Sequence, residues 1–90
     1  MPYVTQEQRS RLDPCINQMI SVLREAPVER VDGELNYTVT RLLRSLYDQK
    51  YFDYNRAVGV LESVKLEFYR RWIASYEDKK MRERGDIPKR

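Results

Sequence analysis

The stretch YNRAVGVLESVKLEFYRRW, residues 54–72, has the residue spacing of an amphipathic helix and decides the fold class. Successive residues of an α-helix lie 100° apart, so the apolar residues of this helix divide into two stripes. The first, which we call the core stripe, contains Ala57, Leu61, Val64 and Phe68. The second, the aromatic stripe, lies about 100° round the helix and contains Tyr54, Asn55, Val58, Glu62, Lys65, Leu66, Tyr69, Ile73 and Tyr76. A small domain cannot cover both stripes, so we expect an exposed contact surface.

Cap and breaker residues mark the ends of three predicted helices, and no stretch has the alternation of a strand. Asp13 followed by Pro14 is typical of a helix start, although Thr5 with Gln8 could cap a short turn before it. Pro27 disfavours helix in the residue before it. Asp53 supplies an N-cap for the long helix, and Gly85 supplies its C-cap. The predicted helices cover residues 14–25, 33–50 and 54–84, and residues 85–90 form a flexible tail. Because short connections favour antiparallel neighbours, we predict an all-α, single three-helix domain with a helical-hairpin core.

The composition excludes several kinds of site. One cysteine and no histidine cannot supply the usual ligand sets of zinc or haem, or a nucleophile paired with histidine. We therefore predict no metal, no cofactor and no enzymatic activity. A carboxylate hydrolase using Glu62 and Glu67 is disfavoured, because residues five apart on a helix point to different sides. No apolar run reaches the ~20 residues of a membrane span and no signal segment is present, so we expect a cytoplasmic protein.

Glu62 and Lys65 are the charged residues within the aromatic stripe, and they have two interpretations. Residues three apart on a helix are neighbours, so the two side chains can form an exposed ion pair of little energetic weight. Alternatively, tyrosines enclose the pair in a pocket or across a subunit interface. Enclosed pairs set register or partner choice more often than stability, because removing two charges from water is costly.

A smaller polar cluster lies on the second predicted helix. Tyr37, Arg41 and Arg44 share one face, where two guanidiniums can bind an anion while the phenol ring stacks on a planar group. The simpler interpretation is a solvated face on which Arg44 pairs with Asp48. Asn36 has the hydrogen-bonding groups to recognise a base or ribose, but it can equally serve as a capping residue.

Two segments, DGELNYTVTRLLRSLY and YFDYNRAVGVLESVKLEFYRRWIASYEDKK, resemble a family of small uncharacterised bacteriophage-encoded proteins. The signatures of that family are GELNY-x-x-TRLL and YN-x-x-(I/V)GVLE-x-x-KLE-(F/L)-YRR. The polar residues that match it are Glu34, Asn36, Tyr37, Arg41, Tyr54, Asn55, Glu62, Lys65, Glu67, Tyr69, Arg70 and Arg71. The resemblance implies a setting in the bacterial host cytoplasm. By analogy of size and setting, it also implies a counter-defence factor that sequesters a nucleotide immune signal.

We therefore expect a non-enzymatic binding protein, a homo-oligomer that packs through the aromatic stripe and holds a small anionic nucleotide in pockets between subunits. Arginines would offset phosphate charge, aromatic rings would stack on a base, and amides would read its edge. The expected ligand-binding residues are Asn36, Tyr37, Arg41, Arg44, Tyr54, Asn55, Glu62, Lys65, Tyr69, Arg70, Arg71 and Trp72.

Two other functions remain open from the sequence. The aromatic stripe is also typical of a protein-interaction module that inhibits or scaffolds a host or phage protein by docking a helix face. Nucleic-acid binding is less favoured, because the basic excess is small, at 17 basic against 14 acidic residues. It would rely on the basic C-terminal segment, residues 79–90, and on exposed tyrosines.

Overall fold

A computed structural model describes residues 3–89 and places three helices and no strand among them. Helix α1 covers Gln6–Arg24 and α2 covers Val28–Leu46. The third helix is continuous over 34 residues and consists of α3 (Tyr51–Phe68), a π-helical turn (Tyr69–Ile73) and α4 (Ala74–Arg84). The prediction of an all-α chain with three helices and a long last helix is confirmed. No helix among the described residues is both long enough and apolar enough to cross a membrane.

The chain divides into two compact units, Met1–Leu46 and Tyr47–Arg90. The first unit contains α1 and α2, which contact each other. The second unit is the long helix with the residues that flank it.

The predicted start of the first helix at Pro14 is wrong, because α1 begins eight residues earlier, at Gln6. A capping box explains the early start: the Thr5 hydroxyl accepts from the Gln8 backbone N–H at 3.2 Å, and the Gln8 side-chain oxygen accepts from the Thr5 N–H at 2.9 Å. Two donors of the first turn are satisfied in this way. Pro14 consequently lies inside the helix, where it lacks the N–H that would bond to Ser10.

The predicted bounds of the second helix, residues 33–50, are also wrong, because α2 covers Val28–Leu46. Pro27 precedes the helix directly, and its carbonyl accepts from the Arg30 N–H at 2.9 Å. Proline suits this position because its φ angle is already helical and the first N–H groups of a helix need no intrahelical partner. Pro27 therefore starts α2 as well as ending α1, and the connection is three residues long.

The long helix begins at Tyr51, three residues before the predicted start. Asp53 is not the N-cap. It lies in the first turn, where its Oδ1 accepts from Arg56 Nη1 at 3.1 Å. The predicted end is confirmed: the helix stops at Arg84, and Gly85 follows with φ 91°, a left-handed angle that glycine adopts without strain.

The π-helical turn changes which residues share a face. The Ala74 N–H donates to the Tyr69 carbonyl five residues earlier, so this turn holds about one residue more than an α turn. The side chains of residues eight apart across it can therefore meet, and the Tyr69 hydroxyl donates to Glu77 Oε2 at 3.0 Å. The uniform 100° spacing that placed Tyr76 on the aromatic stripe is wrong beyond Ile73, and Glu77 takes that place.

Burial within the described chain is very limited. Ala57 is the one hydrophobic residue of residues 3–89 that is classed as buried, at 9% exposed. The other members of the core stripe are 41–61% exposed, so in the described chain the stripe is a surface along most of its length. A helix in water depends on packing of its apolar face for most of its stability, so the exposed core stripe is a candidate contact surface.

Gly33→Ala tests the revised start of α2. Gly33 lies inside the helix, and nothing stands within 4 Å of where a Cβ would be. Alanine should raise the free energy of unfolding by about 0.5–1 kcal/mol, because glycine loses more backbone entropy in a helix. Chemical denaturation followed by circular dichroism measures the change.

Gly85→Ala is the contrasting variant, since its positive φ strains any residue with a Cβ. It should lower stability, by about 1 kcal/mol or more. Equal effects of the two substitutions would contradict the assigned helix bounds.

Candidate functional site

A cleft in the first unit lies between α1 and α2 and has a volume of about 260 Å³. Its lining is mixed, with apolar side chains beside a phenol, a guanidinium and two hydroxyls. The lining residues are Met19, Tyr37, Thr38, Arg41, Leu42 and Ser45. Two of the residues predicted from sequence, Tyr37 and Arg41, are therefore brought together in one concave surface.

Tyr37 and Arg41 lie one turn apart on α2 and contact each other. Arg41 Nη1 donates to the Tyr37 hydroxyl at 3.3 Å, and the guanidinium carbon lies 5.9 Å from the ring centroid. Within residues 3–89, no carboxylate lies within 4.0 Å of this guanidinium. The positive charge of Arg41 is therefore available to an anion, and the phenol holds it beside the cleft.

The hydroxyl groups of the cleft differ in their availability. The Thr38 hydroxyl donates to the Glu34 carbonyl at 2.8 Å, so it contributes mainly a lone pair and a methyl group. Ser45 lies four residues after Arg41, on the same side of α2, and lines the cleft. Arg41 and Ser45 are consequently the donors that can act together on one ligand.

Asn36 and Arg44 do not line this cleft, although both are exposed on α2. The Asn36 side-chain oxygen accepts from the Thr40 hydroxyl at 3.4 Å. Among the described residues, Arg44 forms no ion pair, so the suggested pairing with Asp48 is absent. These two residues face solvent in the first unit.

The predicted site residues of the second unit lie along the surface of the long helix. Tyr54, Tyr69 and Trp72 are each about half exposed, and Asn55 is exposed. Lys65 Nζ lies 3.3 Å from Glu62 Oε1, with the two side chains 71% and 54% exposed. In the described chain alone the pair is solvated, and its enclosure by a partner remains a prediction.

Arg70 and Arg71 both bind Glu67, the residue one turn before them. Arg70 Nη2 lies 3.2 Å from Glu67 Oε2, and Arg71 Nη1 lies 3.4 Å from Oε1. The hydrogen bond from Arg70 is the largest of the effects that lower the pKa of Glu67, and the Arg71 contact acts in the same direction. An anionic ligand would have to compete with this carboxylate for both guanidiniums.

Trp72 completes this part of the helix. The Arg71 guanidinium carbon lies 4.7 Å from the Trp72 ring centroid, and the Phe68 ring lies 5.5 Å away on the preceding turn. Both contacts stay within one helix, so they order the indole without burying it. A base that stacks on Trp72, as predicted, would therefore bind a ring that Arg71 already contacts.

Sequence reasoning missed four lining residues of the cleft. Thr38, Leu42 and Ser45 lie three, one and four residues from Arg41, so the helical neighbours of Arg41 would have indicated two of them. Met19 lies on α1 and also lines the cleft. Its position opposite Arg41 depends on the contact between α1 and α2, which no local spacing rule supplies.

Comparisons with known proteins give one match. A family described as "Domain of unknown function (DUF6899)" matches residues 1–87 of the chain. Neither the curated proteins nor the solved structures contain a match.

The Tyr69–Glu77 contact allows a prediction about the titration of Tyr69. The hydrogen bond to Glu77, followed by its negative charge, raises the pKa of Tyr69 above the ordinary 10.0. The stabilisation from this contact is therefore fully present below pH 10 and is lost as the pH rises through the folded pKa of Tyr69.

Glu77→Ala should lower the pKa of Tyr69 towards its ordinary value, as followed by NMR of labelled tyrosine rings against pH. Glu83→Ala is the matched control, because Glu83 is a carboxylate on the same helix that contacts lysines instead. If the two variants affect Tyr69 equally, the hydroxyl does not contact Glu77 and the π-helical register is wrong.

Proposed function

The chain belongs to the family described as Domain of unknown function (DUF6899), a description that assigns no activity, and we propose a function from the chemistry of its surfaces. The protein is a non-enzymatic, homo-oligomeric binding protein for a small planar anion of nucleotide type. In the phage setting that its sequence signatures imply, that ligand is a nucleotide immune signal of the host and the protein is a counter-defence factor.

The cleft between α1 and α2 carries this proposal. It combines an arginine free of carboxylate partners within residues 3–89 with an aromatic ring and a hydroxyl, on a wall that is otherwise apolar. Arg41 would bind the charged group, Tyr37 would lie against the planar group, and Ser45 would donate a further hydrogen bond. Few polar groups on an apolar wall are typical of small-molecule sites.

The size of the cleft limits what one chain binds. A volume of 260 Å³ is slightly below the roughly 300–1,000 Å³ of typical ligand pockets. One base with its phosphate is the expected occupant, and a larger nucleotide would extend beyond this cleft. The prediction that pockets between subunits hold the ligand therefore applies to larger nucleotides such as cyclic dinucleotides.

The exposure of the long helix favours a second function, that of a protein-interaction module. Large aromatic side chains on one continuous helix face are common at helix-in-groove contacts. This alternative predicts a stable complex with a host or phage protein and no binding of a small ligand.

Calorimetry with nucleoside monophosphates, cyclic dinucleotides and ADP-ribose tests the ligand proposal. Arg41→Ala should weaken binding of the best ligand at least about tenfold, because hydrogen bonds to a charged group contribute about 1.5–3 kcal/mol.

Arg44→Ala is the matched control, since it removes the same charge from the same helix without touching the cleft. It should weaken binding by less than about threefold. The proposal fails if no ligand of the panel binds, or if the two variants lose affinity equally.

A further inference from the structure

Six residues of the aromatic stripe form three pairs that lie symmetrically about the midpoint between Ser63 and Val64, whereas Asn55 and Leu66 are equidistant with residues outside the stripe. Glu62 and Lys65 are equally distant from that midpoint and carry opposite charges. Further out, the equidistant pairs are apolar or aromatic: Val58 with Tyr69, and Tyr54 with Ile73. Tyr69 and Ile73 are the first and last residues of the π-helical turn, so the pattern extends to the end of that turn, beyond which the register of the face changes.

A reversed pattern of this kind suits a two-fold contact. In an isologous interface, residue i of one subunit contacts residue j of the other, and j contacts i. Two antiparallel copies of the helix, crossing at the midpoint, would place Glu62 opposite the Lys65 of the other copy, twice. Binding to a partner of unrelated sequence would not require this symmetry.

We propose that the aromatic stripe binds a second copy of this chain, antiparallel and centred between Ser63 and Val64, with two reciprocal Glu62–Lys65 ion pairs. This inference rests on the homo-oligomer of the proposed function and specifies its contact. It also assigns roles to two residues that sequence analysis placed in the ligand site. Glu62 and Lys65 set the register and direction of self-association.

Exposure and area are consistent with this occupant. Tyr54, Val58 and Tyr69 are 50%, 63% and 47% exposed, so they retain surface for a partner to cover. Half of a whole aromatic side chain is roughly 75–125 Å², so the two tyrosines together present roughly 200 Å² per chain to a partner. Val58 and the remaining stripe residues add to this area, and the smallest stable specific interfaces bury about 600 Å² per partner.

The charges decide direction more than affinity. In the single chain, the Glu62–Lys65 pair is exposed and 3.3 Å apart, so it contributes little to helix stability. Across the two-fold axis, each of these groups would face a side chain of opposite charge on the other chain. A parallel pair would instead place Glu62 beside Glu62 and Lys65 beside Lys65, which is unfavourable.

Charge exchange distinguishes this contact from a parallel pair, because a parallel pair of parent chains already places like charges opposite each other and neither variant would weaken it. Glu62→Lys makes both positions basic and Lys65→Glu makes both acidic, so each variant alone places like charges opposite each other. Each should dimerise at least about tenfold more weakly than the parent chain. An equimolar mixture of the two should recover the dimer, because every cross-chain pair is then of opposite charge.

Sedimentation velocity measures the dimer fraction of the parent chain, of each variant and of the mixture, and circular dichroism confirms that helix content is unchanged. Dimer loss in both variants and recovery in the mixture support the contact. A parent chain that is monomeric up to its solubility limit overturns it.

Equal dimerisation of the parent, the variants and the mixture also overturns the contact. Neither result depends on a ligand, so a failure here is distinguishable from a failure of the cleft to bind nucleotides. A cysteine pair provides an independent check in a Cys15→Ser background. Val58→Cys on one chain should form a disulfide with Tyr69→Cys on another, and no such bond between chains contradicts the proposed register.

Discussion

The apolar circumference of the long helix is the constraint on which the other features of this protein depend. A helix satisfies its own backbone hydrogen bonds, but a helix of 34 residues in water needs its apolar faces covered. The long helix has two such faces, about 100° apart, and the described residues include one buried hydrophobic residue, Ala57. This exposed apolar surface is the basis on which we propose association with a second copy of the chain.

Arginine residues divide into two groups that the sequence does not distinguish. Arg70 and Arg71 share the carboxylate of Glu67, and Arg71 also lies over an indole ring. Their guanidinium groups are therefore engaged in contacts within their own helix. Arg41 instead has a phenol as its partner and borders a cleft, so its charge remains available to a ligand. The candidate binding site is therefore in the first unit, and the candidate association surface is in the second.

Features that depend on local sequence were predictable, and features that depend on register or on contacts between helices were not. Gly85 marked the end of the long helix correctly because a left-handed C-cap is a local property of glycine. Pro14 misled because the helix starts at the capping box of Thr5 and continues through the proline. The π-helical turn has no reliable sequence signal, so the face assigned to Tyr76 was wrong. Met19 lines the cleft only because α1 contacts α2, and no local sequence pattern predicts that contact.

A distance between two copies of the chain tests the central claim most directly. A nitroxide label on Lys79→Cys, in a Cys15→Ser background, lies far from the proposed midpoint of the helix pair. Pulsed electron paramagnetic resonance should then give a label-to-label distance of about 45 Å, from the rise of 1.5 Å per residue in an antiparallel pair. A distance below about 20 Å, as a parallel pair requires, or a signal without dipolar modulation would contradict the account.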